Sequence, residues 1–161
     1  MGNYTLMNEL HLPWVVWRVE SARMKDADPK ASDKGAILLI DDEQPLLEVF
    51  KAALKDRFEV TTANSVREAE FILHKKEFKV VIADHLMPGG NGMSFLVRAR
   101  EEYPYMQRVL VTGYMKPEML LRSVNEAALF RYLLKPVSMA ELIKVISDAA
   151  AAHDSSVVEA G

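Results

Sequence analysis

The chain has no cysteine, which excludes disulfides, thiolate nucleophiles and Cys-ligated zinc or iron–sulfur centres together. It has no apolar run near the roughly 18–20 residues that a bilayer-spanning helix requires. The longest candidate, Leu12 to Trp17, is interrupted by Pro13 and closed by Arg18. That cluster also lacks the basic start of a signal peptide, and Met1-Gly2 is followed by Leu6 where an acylation signal wants Ser or Thr. Positive charge is not in excess either. A net charge of −3 gives no electrostatic case for direct binding of nucleic acid or of an acidic membrane. What remains is a chain of 161 residues, 50% hydrophobic and 27% charged, enough for one globular domain with a real core. Its expected location is the cytoplasm.

Residues 1–34 show no sustained period and end in a polar Asp/Lys/Ala/Ser/Pro stretch, so they read as an N-terminal extension and linker. The Trp14 and Trp17 cluster reads either as a docking segment or, with Met24 as the true start, as no part of the protein. The domain proper is expected over 35–152, with 153–161 as a C-terminal tail.

From Ala36 the pattern is regular. Ala36-Ile37-Leu38-Leu39-Ile40 is a continuous apolar run of strand length that stops at Asp41-Asp42. Pro45 suits a first helical turn, and Leu46, Leu47, Phe50, Ala53 and Leu54 recur at helical spacing. Phe58 to Thr62 forms a second strand, and Ser65-x-x-Glu68 a capping box for the next helix. Val80-Val81-Ile82-Ala83 runs into Asp84 and then a Pro/Gly-rich turn through Gly92. A helix follows over about Met93 to Glu102, then a strand Arg108 to Val111 ending at Thr112-Gly113. Pro117 opens a helix to about Ala128, Arg131 to Leu134 is a fifth strand ending at Lys135-Pro136, and Ser138-x-x-Glu141 caps a last helix reaching about Ala150. Five strand–helix pairs with continuously apolar strands predict a doubly wound α/β domain, a parallel sheet covered on both faces.

In such sheets the functional crevice lies beyond the carboxyl ends of the strands. Asp84 alone reads as a turn or capping aspartate; its company changes that. Strand one brings Asp41 and Asp42 to the edge, strand four Thr112 and strand five Lys135. Converging carboxylates repel unless protonated or neutralised by a cation, and Mg²⁺ is the hard ion that takes oxygen ligands of this kind. Lys135 supplies a compact positive charge and Thr112 a hydroxyl donor, the two things a transferring phosphoryl group needs. Asp84 would then be the nucleophile that forms an aspartyl phosphate.

The motifs Asp41-Asp42-Glu43, Asp84-x-x-Met87-Pro88-x-x-Asn91-Gly92, Thr112-Gly113 and Tyr132-x-x-Lys135-Pro136, in this order, resemble those of a response-regulator receiver domain of two-component signalling, over residues 36–150. The resemblance implies a flavodoxin-like five-stranded parallel sheet of order 2-1-3-4-5. It implies Asp84 as phosphoacceptor, Asp41 and Asp42 as the acidic Mg²⁺ pair with the Leu86 carbonyl as a further ligand, and Thr112 and Lys135 as phosphoryl contacts. Tyr132 would turn inward on activation, and Lys135-Pro136 would be a cis peptide. The phosphoryl donor would be a histidine kinase or a phosphotransfer protein.

His85 reads as a solvent-facing loop residue, His74 and His153 as surface residues, and Met87 as core. Tyr132 reads equally as an ordinary half-buried strand aromatic. Val111 to Tyr114 and Phe130 to Pro136 are similar to receivers joined to cyclic-dinucleotide phosphodiesterase or transcriptional output domains, although Val137 and Ala127-Ala128 depart from that subgroup. With only His153 to Gly161 after the last helix, a stand-alone receiver is expected. Its output would be protein–protein contact through the helix four, strand five and helix five face, with phosphorylation-dependent homodimerisation open to it. Leu86 beside the acceptor offers no polar group to orient water, so slow self-dephosphorylation is expected. The competing readings are a phosphorylation-independent scaffold and a small Mg²⁺ phosphatase; the latter lacks a general acid two residues after Asp84.

Overall fold

The computed structural model describes residues 34–161; the readings of the N-terminal extension, including Trp14, Trp17 and Met24, lie outside them. The elements are β1 (Ala36–Ile40), α1 (Gln44–Leu54), β2 (Glu59–Ala63), α2 (Val66–Leu73), β3 (Val80–Asp84), β4 (Leu86–Met87), β5 (Gly90–Asn91), α3 (Gly92–Glu102), β6 (Gln107–Thr112), α4 (Pro117–Ala127), β7 (Arg131–Leu134) and α5 (Met139–Ala160). The main sheet is parallel throughout, in the order β2-β1-β3-β6-β7. That is the expected doubly wound arrangement.

Local chemistry explains where the helices start. Pro45 and Pro117 occupy the first turns of α1 and α4, where a missing N–H costs nothing. The Ser65 and Ser138 hydroxyls accept the Glu68 and Glu141 amides at 3.2 and 3.1 Å. Glu68 reaches back one residue beyond the usual box, to the Asn64 amide at 2.7 Å. Asn91 caps α3 by accepting the amides of Met93 and Ser94.

Strand alternation divides the core into two halves. On one face Ile37, Leu39, Val80, Ile82, Val109 and Val111 pack with Leu46, Leu47 and Phe50 of α1 and Leu142, Val145 and Ile146 of α5. On the other, Leu38, Ile40, Val81, Ala83 and Leu110 pack with Ala69 and Leu73 of α2, Phe95 and Leu96 of α3, and Ala127 of α4. Because β1 and β3 are covered on both sides, their sequences are apolar at every position rather than at alternate ones.

Two expectations need correction. The last helix does not stop near Ala150 but runs to Ala160, through residues read as a tail. No Gly or Pro interrupts 139–160, and an ion pair between Lys79 and Asp154 at 2.8 Å ties the added turns to the start of the central strand β3. The Pro/Gly-rich segment after Asp84 is not a plain turn. It contains a small antiparallel hairpin, Leu86 opposite Asn91 and Met87 opposite Gly90, with Gly89 at φ 76 supplying its left-handed corner.

Candidate functional site

Each strand delivers its last residues to one rim of the sheet, and register decides which side of the rim they occupy. Asp84 pairs with Val111 in the β3–β6 ladder. In a parallel pair, neighbours in register point to the same face, and successive residues alternate. Asp84 therefore follows Ile82 onto the face covered by α1 and α5, and Asp41 follows Leu39 onto the same face. A crevice there is lined by Leu39, Ile40, Asp41, Leu47, Phe50, Ile82, Asp84 and Val111. Lys135, two residues past Leu133, joins them: its Nζ lies 2.9 Å from Asp84 Oδ1.

Asp41 and Asp84 are buried, while Asp42 is exposed at the mouth. One carboxylate oxygen from each of the three can be chosen so that all lie within 4.8 Å of one another. Burial pushes the Asp41 carboxyl up from 3.8 to about 7, helped by the negative charge of Asp84 and opposed by the Glu43 amide and Lys135. The Glu43 N–H donates to Asp41 Oδ1 at 2.8 Å. Three converging carboxylates, one of them reluctant to ionise, form a donor set suited to a hard divalent cation. A single lysine leaves that charge only partly compensated. Leu86 lies in β4 just beyond Asp84, with its side chain 69% exposed.

Gly92 closes the site from behind. A Cβ at this position would lie 1.9 Å from the Asp84 carbonyl oxygen, so only glycine lets α3 begin this close to β3. The Gly92 N–H donates to the His85 carbonyl at 3.0 Å. The Asn91-Gly92 pair was visible in the sequence, but its reason is this approach.

Thr112 reaches the same rim on the opposite face. Its hydroxyl donates to the Tyr114 carbonyl at 3.1 Å and lies 3.4 Å from His85 Nδ1. The expected convergence of five polar side chains thus separates into an acidic group with Lys135 on one face and Thr112 with His85 on the other. His85 is not solvent-facing: it is buried, and burial lowers its pKa against the opposing pull of Asp84. The signal that locates it is register, since His85 is the next residue along from the Asp84–Val111 pair and so neighbours Thr112. His74 is exposed as expected; His153 is half-buried, with Nδ1 3.1 Å from Asp154. Met87 is buried, Tyr132 is 38% exposed on the edge strand, and Lys135-Pro136 is cis.

A parallel α/β sheet with clustered carboxylates and an opposed lysine beyond its carboxyl edge defines a phosphoacceptor class of domain. The sequence profile of the response regulator receiver domain matches residues 37–147, and the chain belongs to that family. It is 35% identical over 123 residues, 76% of its length, to the hydrogenase transcriptional regulatory protein HoxA of Cupriavidus necator, covering 26% of that protein. It is 33% identical to the alginate biosynthesis transcriptional regulatory protein AlgB of Pseudomonas putida, over 68% of this chain and 25% of that protein. The chain thus spans about a quarter of the length of these relatives. Among solved structures it is similar to a CheY-like response regulator receiver domain protein from Methanospirillum hungatei, with a TM-score of 0.73 and 26% identity. That match covers 77% of this chain and 99% of that one. A chain solved as adenylate cyclase from Rhodopirellula baltica matches with a TM-score of 0.75 and 32% identity, over 79% of this chain and 95% of that one. Receiver domains as a family carry their chemistry on one of their own aspartyl side chains rather than turning over a separate substrate. No helix among the described residues is long and apolar enough to cross a membrane.

Proposed function

We propose that Asp84 accepts a phosphoryl group from a phosphohistidine of a histidine kinase or phosphotransfer protein. The observation that carries this reading is the contact of Asp84 with Lys135 inside the cluster of three carboxylates. An Asp84 carboxylate oxygen attacks phosphorus; the O–P bond forms as the P–N bond breaks, and the electron pair stays on the donor imidazole. Asp41, Asp42 and Asp84, with the Leu86 carbonyl, would hold Mg²⁺, which supplies positive charge where oxygens crowd together. Lys135 then turns from Asp84 toward the phosphoryl oxygens, and Thr112 must cross from its present partners to reach them.

The readout surface in this proposal is the face of α4, β7 and α5. Tyr132 and Leu134 are partly exposed there, beside a shallow groove of about 430 Å³ whose walls include Arg131, Glu141, Lys144 and Asp148. Tyr132 turning inward would change that face for a downstream protein or for a second copy of the chain. The phosphorylatable unit is taken as 35–152 with its helical continuation, acting in the cytoplasm, where phosphohistidine donors and Mg²⁺ are met.

Acetyl phosphate with Mg²⁺ should add one phosphoryl mass to the wild type and none to Asp84→Asn. The adduct should persist for minutes or longer, because the exposed Leu86 cannot orient water. A mass gain retained by Asp84→Asn, or one indifferent to chelation of Mg²⁺, would refute the assignment.

A further inference from the structure

His85 takes no part in the chemistry above, yet it is among the few polar residues buried in the domain. Its backbone is fixed on both sides: the His85 N–H donates to the Val111 carbonyl at 2.8 Å, and its carbonyl accepts the Gly92 N–H at 3.0 Å. The ring is therefore delivered to a set place, next to Thr112 and on the side of the sheet away from Asp84. The hydroxyl of Thr112 has one proton, and the Tyr114 carbonyl, which can only accept, takes it at 3.1 Å. The contact at 3.4 Å with His85 must then run the other way, with Nδ1–H donating to the Thr112 oxygen. Thr112 is thus held by a donor and an acceptor, and the donor, His85, lies on the face opposite Asp84.

We propose that His85 is a positioning residue that holds the Thr112 hydroxyl away from Asp84 in the unphosphorylated state, and so sets how readily the domain switches. The inference rests on the proposed role of Asp84. Phosphorylation makes a new acceptor on the other face, and Thr112 must give up both present partners to donate to it. Each partner removed shifts the balance toward the switched arrangement. The tautomer with Nδ1 protonated is part of the device, because the Nε2–H tautomer would compete with Tyr114 for the Thr112 proton.

The test is a titration of the full chain with beryllofluoride and Mg²⁺, a phosphoryl mimic, on wild type, His85→Leu, His85→Asn and Thr112→Ala. A single long hydrogen bond predicts that His85→Leu binds the mimic about threefold more tightly. His85→Asn, whose amide can donate from a similar place, should return to wild-type affinity. In the Thr112→Ala background, changing His85 should have no effect on the affinity. Nitrogen-15 spectra of the unmodified protein should show His85 Nδ1 protonated, whatever the mimic does. An unprotonated Nδ1, an unchanged or weaker affinity in His85→Leu, or an effect that survives in Thr112→Ala would each overturn the inference while leaving Asp84 intact. A wild type that takes up no mimic at all would overturn the reading of Asp84 and this one with it.

Discussion

Helices α3 and α4 have the same length, 11 residues each, and pack against one another, yet they are held in opposite ways. The core side of α3 buries Met93, Phe95, Leu96 and Ala99, and Asn91 caps its start. Only Ser123 and Ala127 of α4 are buried, and Lys116 gives it no side-chain cap. What holds α4 is its far end. The buried Arg108 donates from Nε to the Ala127 carbonyl at 2.8 Å and from Nη2 to the Ala128 carbonyl at 3.3 Å. Its Nη1 donates to the Met106 carbonyl. Arg100 Nη1 donates to the Asn125 and Glu126 carbonyls at 3.0 and 2.9 Å. The carbonyls of 125–128 are the unpaired ones at the negative dipole end of α4, where cations bind best. Ala128 takes the left-handed corner at φ 44 that a glycine would adopt without cost. One helix is thus part of the core, and the other is tethered at its C-terminal end, with its free start next to the loop that leaves Thr112. Chemistry is built on the first kind of attachment, and a surface that can shift needs the second.

The contrast can be broken most severely at the start of α3. Gly92→Ala should cost more than about 4 kcal/mol, or prevent folding, because the methyl would overlap the Asp84 carbonyl. Urea unfolding measures this, and near-wild-type stability would show that α3 is free to move after all. The fixed site also predicts a pH effect. Asp41 is buried and has a folded pKa raised from 3.8 to about 7, so its contribution to stability is fully present below pH 3.8 and lost as pH rises to about 7. Without Mg²⁺, Asp41→Asn should therefore gain on the wild type across that window, by at most about 4 kcal/mol. Saturating Mg²⁺ should reverse the order, since the variant loses a ligand. A difference that does not vary with pH would mean Asp41 is ionised throughout.

Arg108→Leu should cost about 2–3 kcal/mol by leaving buried carbonyls unpaired. Amide hydrogen exchange should quicken at the C-terminal end of α4 and stay slow in α3. Equal quickening in both helices would erase the distinction. Arg100→Ala, whose bonds are at the surface, should cost about 0.5–1.5 kcal/mol in the same assay.

Much of this arrangement was readable in advance. Strands β1 and β3 announce themselves as apolar runs, and the helices by Pro45, Pro117, Ser65 and Ser138, because these signals depend on neighbours in the chain. The Asp41, Asp42, Asp84 and Lys135 group was readable for a related reason: parallel strands must all end at one edge. The full length of α5, the hairpin after Asp84 and the burial of His85 were not. Two of them involve contacts distant in sequence, Lys79 with Asp154 and His85 with the Thr112 hydroxyl; the hairpin is local, Leu86 opposite Asn91, but its Pro/Gly-rich sequence reads as a turn rather than as strand.

The sequence alone thus determined the alternation of strands and helices, the edge at which chemistry can occur and the residue types gathered there. Only the tertiary structure decided which side of that edge each residue takes. It places Asp41, Asp84 and Lys135 together and turns Thr112 toward His85 behind them. The physical reason is register: side chains alternate across a strand, so a shift of one residue between β3 and β6 would exchange the faces. The ladder that sets this is a pairing of segments far apart in the chain.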